Sequence, residues 1–196
     1  MALTLVKEDG TGLTTSNSYA TVAECDSYFE GHLYATAWTA ATATSKAAAL
    51  VMATRLVDSQ YQFNGYRTVE TQSLQWPRER CPDPDRNLIS SSVLTALLTN
   101  FVPATSVPKL VAHAVCEMAR ELLIADRTAS PPGEGLDTVA TASASKTTSD
   151  DTSTSSSTKY SKSDTRPIIC RVAQTMLSKY GTLLDGSSGP VRLVRA

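Results

Sequence analysis

The chain has little of what most chemical functions require. Charged residues make up 19% of its 196 residues and aromatic residues 6%, and there are two histidines. The formal net charge is −1, so the sequence as a whole carries no basic footprint for nucleic acid. No apolar run approaches the length that spans a bilayer, and residues 1–9 lack the basic region and apolar core of a secretory signal. We therefore expect neither a membrane anchor nor an export signal.

Recognised catalytic motifs are also missing. The sequence contains no P-loop, no G-x-S-x-G nucleophile elbow and no H-E-x-x-H zinc motif. Neither His32 nor His113 stands beside a nucleophile and an orienting group. Gly10 and Gly12 are too few glycines for a phosphate cradle, and we interpret them as a flexible stretch. The sequence thus predicts no catalytic, cofactor-binding or metal site, and a protein that acts through its surfaces rather than as an enzyme.

The four cysteines lie far apart, with no C-x-x-C pair among them. Without an export signal, the simplest interpretation is that all four are reduced and pack as small apolar side chains. His113 and Cys116 are one helical turn apart, but two ligands alone do not make a zinc site. Asp83 and Asp85 resemble a calcium pair, yet the neighbouring prolines favour a surface turn. The cysteines are Cys25, Cys81, Cys116 and Cys170.

Helical patterns dominate the sequence. Thr21 and Glu24 form a capping box, in which the hydroxyl accepts from the N3 amide while the Glu side chain reaches back. This box predicts a helix to about residue 30, ended by Gly31. Apolar residues three and four apart predict a second helix over residues 44–59, and the apolar segment 93–102 favours a further one.

Two more helices are predicted towards the C-terminus. One has Ser106 as its N-cap and Pro108 just inside, and should end near Asp126. The other covers residues 167–180 and should be ended by Gly181. The inward-facing residues predicted for this last helix are Ile169, Val172, Ala173 and Met176.

Residues 138–165 differ sharply in composition, since 17 of these 28 residues are Ser or Thr. Such a segment cannot bury enough apolar surface to offset the entropy of ordering its backbone. It is either a flexible loop or a long hairpin that becomes ordered against a partner, because Thr suits a pleated surface. A Gly- and Ser-rich spacer, residues 186–190, leads from the last helix to a basic and apolar C-terminal tail.

These observations predict one mainly α domain spanning residues 1–196. We expect a small bundle of about four to five helices, with a long Ser/Thr-rich loop or β-hairpin and an extended tail. The predicted parts are an N-terminal arm (1–20), a helical core (21–126), the loop or hairpin (127–166), a C-terminal helix (167–184) and a docking tail (185–196).

The aromatic residues are expected to have structural roles. We interpret Trp76 as a core anchor, with Pro77 shaping its loop and Arg78 solvated. Tyr19 and Tyr28 are expected to pack in the protein rather than to stack on bases.

A set of short motifs, taken in order, carries a family resemblance. The motifs are Gly10-Thr11-Gly12-Leu13, Ser16-Asn17-Ser18-Tyr19-Ala20-Thr21-Val22, Trp38, Leu74-Gln75-Trp76-Pro77-Arg78, Val107-Pro108 and Leu193-Val194-Arg195-Ala196. Together they resemble small tailed-phage proteins that are often labelled DnaT-like single-stranded-DNA-binding proteins. In organisation these also look like the head–tail adaptors, or connectors, of tailed bacteriophages. The resemblance runs from residue 10 to residue 196, with an apparent insertion at 88–102 and an unusually Ser/Thr-heavy stretch where relatives carry a shorter hairpin.

The resemblance implies a structural virion protein located in the phage neck and made in the host cytoplasm. Its subunits would form a ring, as a dodecamer, between the portal and the next neck or tail-completion protein. Genomic double-stranded DNA would pass through the lumen without sequence-specific binding, and no cofactor or membrane would be involved. The tail would dock into the portal or a neighbouring subunit through Arg192, Leu193, Val194, Arg195 and Ala196.

A single-stranded-DNA-binding module is the alternative. It needs a basic groove with aromatic platforms, whereas this chain has 18 Lys and Arg residues against 19 acidic ones. A near-neutral ring, by contrast, lets a duplex slide because it avoids tight phosphate contacts. The sequence therefore favours the adaptor, with another virion ring protein, such as a tail-completion factor, as a third option.

Overall fold

The computed structural model describes residues 3–84, 101–129, 138–143, 154–159 and 167–184. Within these ranges the chain has five helices and six short strands, and each strand belongs to a two-stranded antiparallel sheet. The helices are α1 (Val22–Phe29), α2 (Thr36–Thr39), α3 (Ala43–Gln60), α4 (Lys109–Ile124) and α5 (Arg171–Leu177). The strands are β1 (Tyr61–Phe63), β2 (Tyr66–Arg67), β3 (Arg78–Glu79), β4 (Thr138–Ser143), β5 (Thr154–Lys159) and β6 (Gly181–Leu183).

The predicted helical content is present, but the class is mixed α/β rather than clearly mainly α. The difference comes from the β4–β5 pair together with four shorter strands, of which β1 and β6 join distant parts of the chain. β1 pairs with β6, from Tyr61 opposite Leu183 to Phe63 opposite Gly181. Pairings of two or three residues leave almost no periodic signal in a sequence.

The chain divides into two compact units. The first consists of Met1–Asp126 and Ile169–Ala196, and the second of Arg127–Ile168. In the second unit β4 and β5 pair antiparallel over six residues each. Of the two alternatives predicted for this region, a flexible loop or a hairpin, these two segments fit the hairpin. The finer division into arm, core, loop, C-terminal helix and tail stays a prediction.

The first two predicted helices are confirmed. At the start of α1, the Thr21 hydroxyl accepts from the Glu24 amide at 3.2 Å, and the Glu24 carboxylate accepts from the Thr21 amide at 2.8 Å. The helix ends beside Gly31, as its capping predicts. α3 begins slightly earlier than expected, because the Thr42 hydroxyl caps it by accepting from the Ser45 amide at 3.2 Å.

The N-terminus of α4 differs from the prediction. Pro108, not Ser106, is the N-cap residue, whereas the end of the helix at Ile124 agrees with the predicted end near Asp126. Ser106 serves the preceding turn instead, since both its amide and its hydroxyl donate to the carbonyl of Pro103. The segment 85–100, which holds most of the predicted helix 93–102, lies outside the described residues.

α5 is shorter than predicted, and two expectations about it are wrong. Val172, expected to face inward, is 46% exposed. Gly181 opens β6 instead of terminating the helix, and a Cβ there would lie 2.5 Å from the carbonyl oxygen of Gln62. Glycine is therefore required by the close approach of two strands. Ile169 and Ala173 are buried as predicted.

The core of the first unit lies where α3 packs against α4 and α4 against α5. Its largest fully buried side chains include Trp38, Trp76, Tyr19, Leu50, Met118 and Leu177. No helix within the described ranges combines the length and apolarity needed to cross a membrane.

Candidate functional site

The glycine-containing loop near the N-terminus surrounds a buried carboxylate. Glu8 is 1% exposed. Its Oε1 accepts from the amides of Gly10 (3.1 Å) and Gly12 (2.9 Å), and its Oε2 accepts from the Leu13 amide (3.0 Å) and the Ser16 hydroxyl (2.7 Å). The loop's donors are thus already occupied by an anion from the chain itself, so it offers no cradle to a phosphate.

The same loop is well defined, so its interpretation as a flexible stretch is wrong. Gly10 and Gly12 have φ angles of 102° and 77°, which favour glycine. A Cβ on Gly10 would lie 2.1 Å from the carbonyl oxygen of Thr105, so no other side chain fits there without a shift.

Trp76 is a core anchor, as predicted, but the expectation that Arg78 is solvated is wrong. Arg78 is only 7% exposed, and burial lowers the pKa of its guanidinium. Its donors meet three backbone carbonyls at the end of β1 and in the turn before β2, and two oxygens of Gln75. The acceptors are the carbonyls of Asn64 (2.9 Å), Gln75 (3.1 Å), Phe63 (3.2 Å) and Gly65 (2.6 Å), with the Gln75 side-chain oxygen at 3.0 Å.

Asp58 is a half-buried carboxyl that the sequence did not reveal. The hydroxyl of Tyr19 donates to Asp58 Oδ1 at 2.6 Å, and the amide of Gln75 donates to Oδ2 at 3.0 Å. The Trp76 amide in turn donates to the Tyr19 hydroxyl at 3.1 Å. Burial raises the pKa of Asp58 to about 6, and burial together with Asp58 raises that of Tyr19 well above its usual value. This network ties the N-terminal segment to the Trp76 loop, and Tyr19 packs inside the protein as predicted.

The cysteine prediction is wrong for two of the four residues. Cys25 of α1 and Cys116 of α4 form a disulfide, with their Cα atoms 5.6 Å apart. The pairing joins residues 91 positions apart, which no local spacing could indicate. Because the Cys116 sulfur is bonded to Cys25, His113 and Cys116 are not a metal pair. No group of three or more metal-ligating side chains occurs among the residues that the structure describes.

A cleft of about 820 Å³ lies between the N-terminal segment, α1 and the start of α4. One wall is an aromatic pair, because the rings of Tyr28 and His113 lie against each other, tilted by 31°, with their centroids 4.5 Å apart. The Tyr28 hydroxyl donates to the buried Glu117 at 2.9 Å, which is also bound by Arg120 at 3.2 Å. Burial, and secondarily Lys109, lowers the pKa of His113. Tyr28 thus has the packed role expected of it.

The charges around this cleft nearly cancel. Its lining includes two lysines and three carboxylates, namely Lys7, Lys109, Glu8, Asp9 and Glu24. Lys7 forms an ion pair with Glu24, and the Thr11 amide and hydroxyl donate to Asp9, lowering the pKa of its carboxyl. With neutral His113 the lining has a net charge of −1, from two positive and three negative side chains. The cleft therefore does not attract a polyanion.

The remaining predicted site lies outside the described residues. These are the docking-tail residues Arg192, Leu193, Val194, Arg195 and Ala196, and their role stays a prediction. Asp85 of the Asp83/Asp85 pair also falls outside the described ranges.

Comparison with protein families supports the family resemblance drawn from the sequence motifs. A family model described as "Putative DnaT-like ssDNA binding protein" matches residues 3–196. The match covers nearly the whole chain, so the protein belongs to this family. Searches of curated proteins and of solved structures found no significant match in either set.

Proposed function

We propose that the protein is a structural virion subunit, a head–tail adaptor that forms a ring of about twelve copies on the portal of a tailed phage. The main support for this proposal is the composition of the second unit, residues 127–168. It contains a two-stranded hairpin whose twelve paired residues are nearly all Ser, Thr and Ala. An isolated two-stranded hairpin is marginal in water, and this composition supplies little apolar surface of its own. Such an element is suited to packing on another chain in an assembly.

The distribution of positive charge also supports a structural role. Arg78 and Arg120 are committed to internal acceptors, Lys7 is paired with Glu24, and Lys46 with Asp26 at 2.8 Å. These four cations are therefore engaged by groups of the protein itself rather than held ready for phosphates. A ring with these surfaces would let a duplex pass through it.

The test is native mass spectrometry and electron microscopy of the protein, alone and with its portal. We expect a ring of about twelve subunits docked on the portal, in keeping with closed symmetry. Deleting residues 191–196 should leave the helical circular dichroism unchanged but abolish docking. Replacing Ser187 and Ser188 in the spacer by glycine is the matched control and should leave docking intact. Monomers that never dock on a portal would refute the adaptor function.

Single-stranded-DNA binding is the second candidate, and the family description supports it more directly than it supports the adaptor. In the structure, the Tyr28–His113 pair beside Lys109 is the arrangement that best suits base stacking next to a phosphate contact. Anisotropy with a labelled oligo-dT strand tests it over a series of salt concentrations. Binding that weakens steeply with added salt would favour this function. The salt dependence should then become smaller in Lys109→Ala but stay unchanged in the control Lys179→Ala.

A further inference from the structure

The loop between α1 and α2 presents two large apolar side chains to solvent. Leu33 is 89% exposed and Tyr34 is 76% exposed. The loop backbone is nevertheless anchored, because the Tyr34 amide donates to His32 Nδ1 at 3.1 Å and Arg120 Nη1 donates to the Tyr34 carbonyl at 3.4 Å. Arg120 is itself held by the buried Glu117. We call Leu33 and Tyr34 the apolar knob; an anchored, exposed apolar pair of this kind marks an interaction surface.

An apolar groove of about 470 Å³ lies on the outer face of α3. Met52 is 38% exposed there and Leu3, from the N-terminal segment, is 45% exposed. At 100° per residue, positions 48, 52 and 55 face roughly opposite to Leu50 and Val57, which enter the core. The outer face of α3 therefore presents Ala48 and Met52 beside Arg55, and these side chains are not part of the core of the described residues. The residues lining this α3 groove are Leu3, Ala48, Val51, Met52, Arg55 and Leu56.

Charges beside the two surfaces are complementary. Glu30, three residues before Leu33, is exposed and acidic, whereas Arg55 in the α3 groove is exposed and basic. Within the described part of the chain neither forms an ion pair. The apolar knob and its acidic neighbour thus match an apolar groove with a basic side chain.

We propose that the apolar knob of one copy inserts into the α3 groove of a second copy, with Glu30 facing Arg55. The two surfaces are different, so the contact is heterologous: every copy offers one knob and one groove. Contacts of this type close into rings when the rotation permits. The inference rests on the proposed ring assembly and names the surfaces that join its subunits.

Complementation between two variants tests the contact. Leu33→Asp removes the knob and Met52→Asp blocks the groove, and both sites are exposed enough for folding to survive, as checked by circular dichroism. In analytical ultracentrifugation each variant should self-associate about 30-fold or more weakly than the wild type. An equimolar mixture should form a one-to-one pair that grows no further, because one intact knob meets one intact groove. Leu184→Asp, at a leucine that is 50% exposed elsewhere, is the matched control and should associate normally.

A charge exchange provides a second measurement. Glu30→Arg and Arg55→Glu should each weaken self-association, and the double variant should restore it. A wild type that stays monomeric at every concentration, or a mixture of the Asp variants that forms no pair, would overturn the contact. Rings that dock on a portal regardless of Leu33→Asp would overturn it while leaving the adaptor function standing. If copies associate through this contact but never dock on a portal, the contact stands and the adaptor function is refuted.

Discussion

The buried carboxylate of Glu8 should be a large contributor to stability, and Glu8→Gln tests this without changing side-chain size. Three of its four partners are backbone amides, which can only donate. A glutamine oxygen in place of Oε1 can still accept from Gly10 and Gly12. Its NH₂ group then faces the Leu13 amide, so one buried donor loses its acceptor, while the Ser16 hydroxyl can turn to the Leu13 carbonyl at 3.2 Å.

The expected loss follows from these contacts. An orphaned buried donor costs about 1–3 kcal/mol, and two bonds to a charged acceptor that become neutral lose roughly 1 kcal/mol each. Relief from burying a charge offsets part of this sum. We therefore expect the free energy of unfolding to fall by about 2–4 kcal/mol, which lowers the melting temperature by roughly 5–15 °C in a chain of this size.

Urea unfolding followed by circular dichroism measures this loss, with Asp9→Asn as the matched control. Asp9 is the adjacent carboxylate and is exposed, and within the described part of the chain its side chain accepts from the nearby Thr11 alone. The control should therefore unfold like the wild type. A Glu8→Gln variant as stable as the wild type, or equal losses at the two positions, would refute the role assigned to the buried carboxylate.

Three further predictions concern the buried polar groups and the disulfide. Arg78→Lys should destabilise the protein by about 3 kcal/mol in urea unfolding, because lysine cannot reach all the oxygens that the guanidinium binds; Arg171→Lys, at an exposed position, should not. Asp58 has a folded pKa of about 6, above its unfolded value, so its contribution is full below pH 4 and is lost as the pH rises through 6. Relative to Asp58→Asn, wild-type stability should therefore fall by about 2 kcal/mol between pH 4 and 7, and a constant difference would contradict the raised pKa. Replacing Cys25 and Cys116 by alanine should lower the free energy of unfolding by about 4–5 kcal/mol, because the unfolded chain is no longer constrained by the cross-link. If both thiols of the denatured but unreduced wild type could be alkylated, no disulfide would be present and the prediction would fail.

Local patterns were sufficient for the first two long helices, whose signals come from groups within about four residues of each other, but not for the N-cap of α4 or the bounds of α5. The capping box of Thr21 and Glu24 set the start of α1, and the apolar spacing of α3 placed that helix to within one or two residues. The sequence also established the family resemblance and the absence of catalytic motifs. A helix turn is formed by neighbours in the chain, so its signal can be read from the chain alone.

Only the tertiary structure decided which polar and sulfur-containing residues are buried together. Arg78 could not be distinguished from a solvated arginine, because three of the carbonyls that it binds lie at a turn more than ten residues earlier. The Cys25–Cys116 disulfide, the Tyr19–Asp58 bond and the β1–β6 pairing likewise join residues that are distant in sequence. Burial and pairing of such groups depend on which elements pack together. That packing arises from the summed apolar contacts of the whole domain, which no single segment encodes.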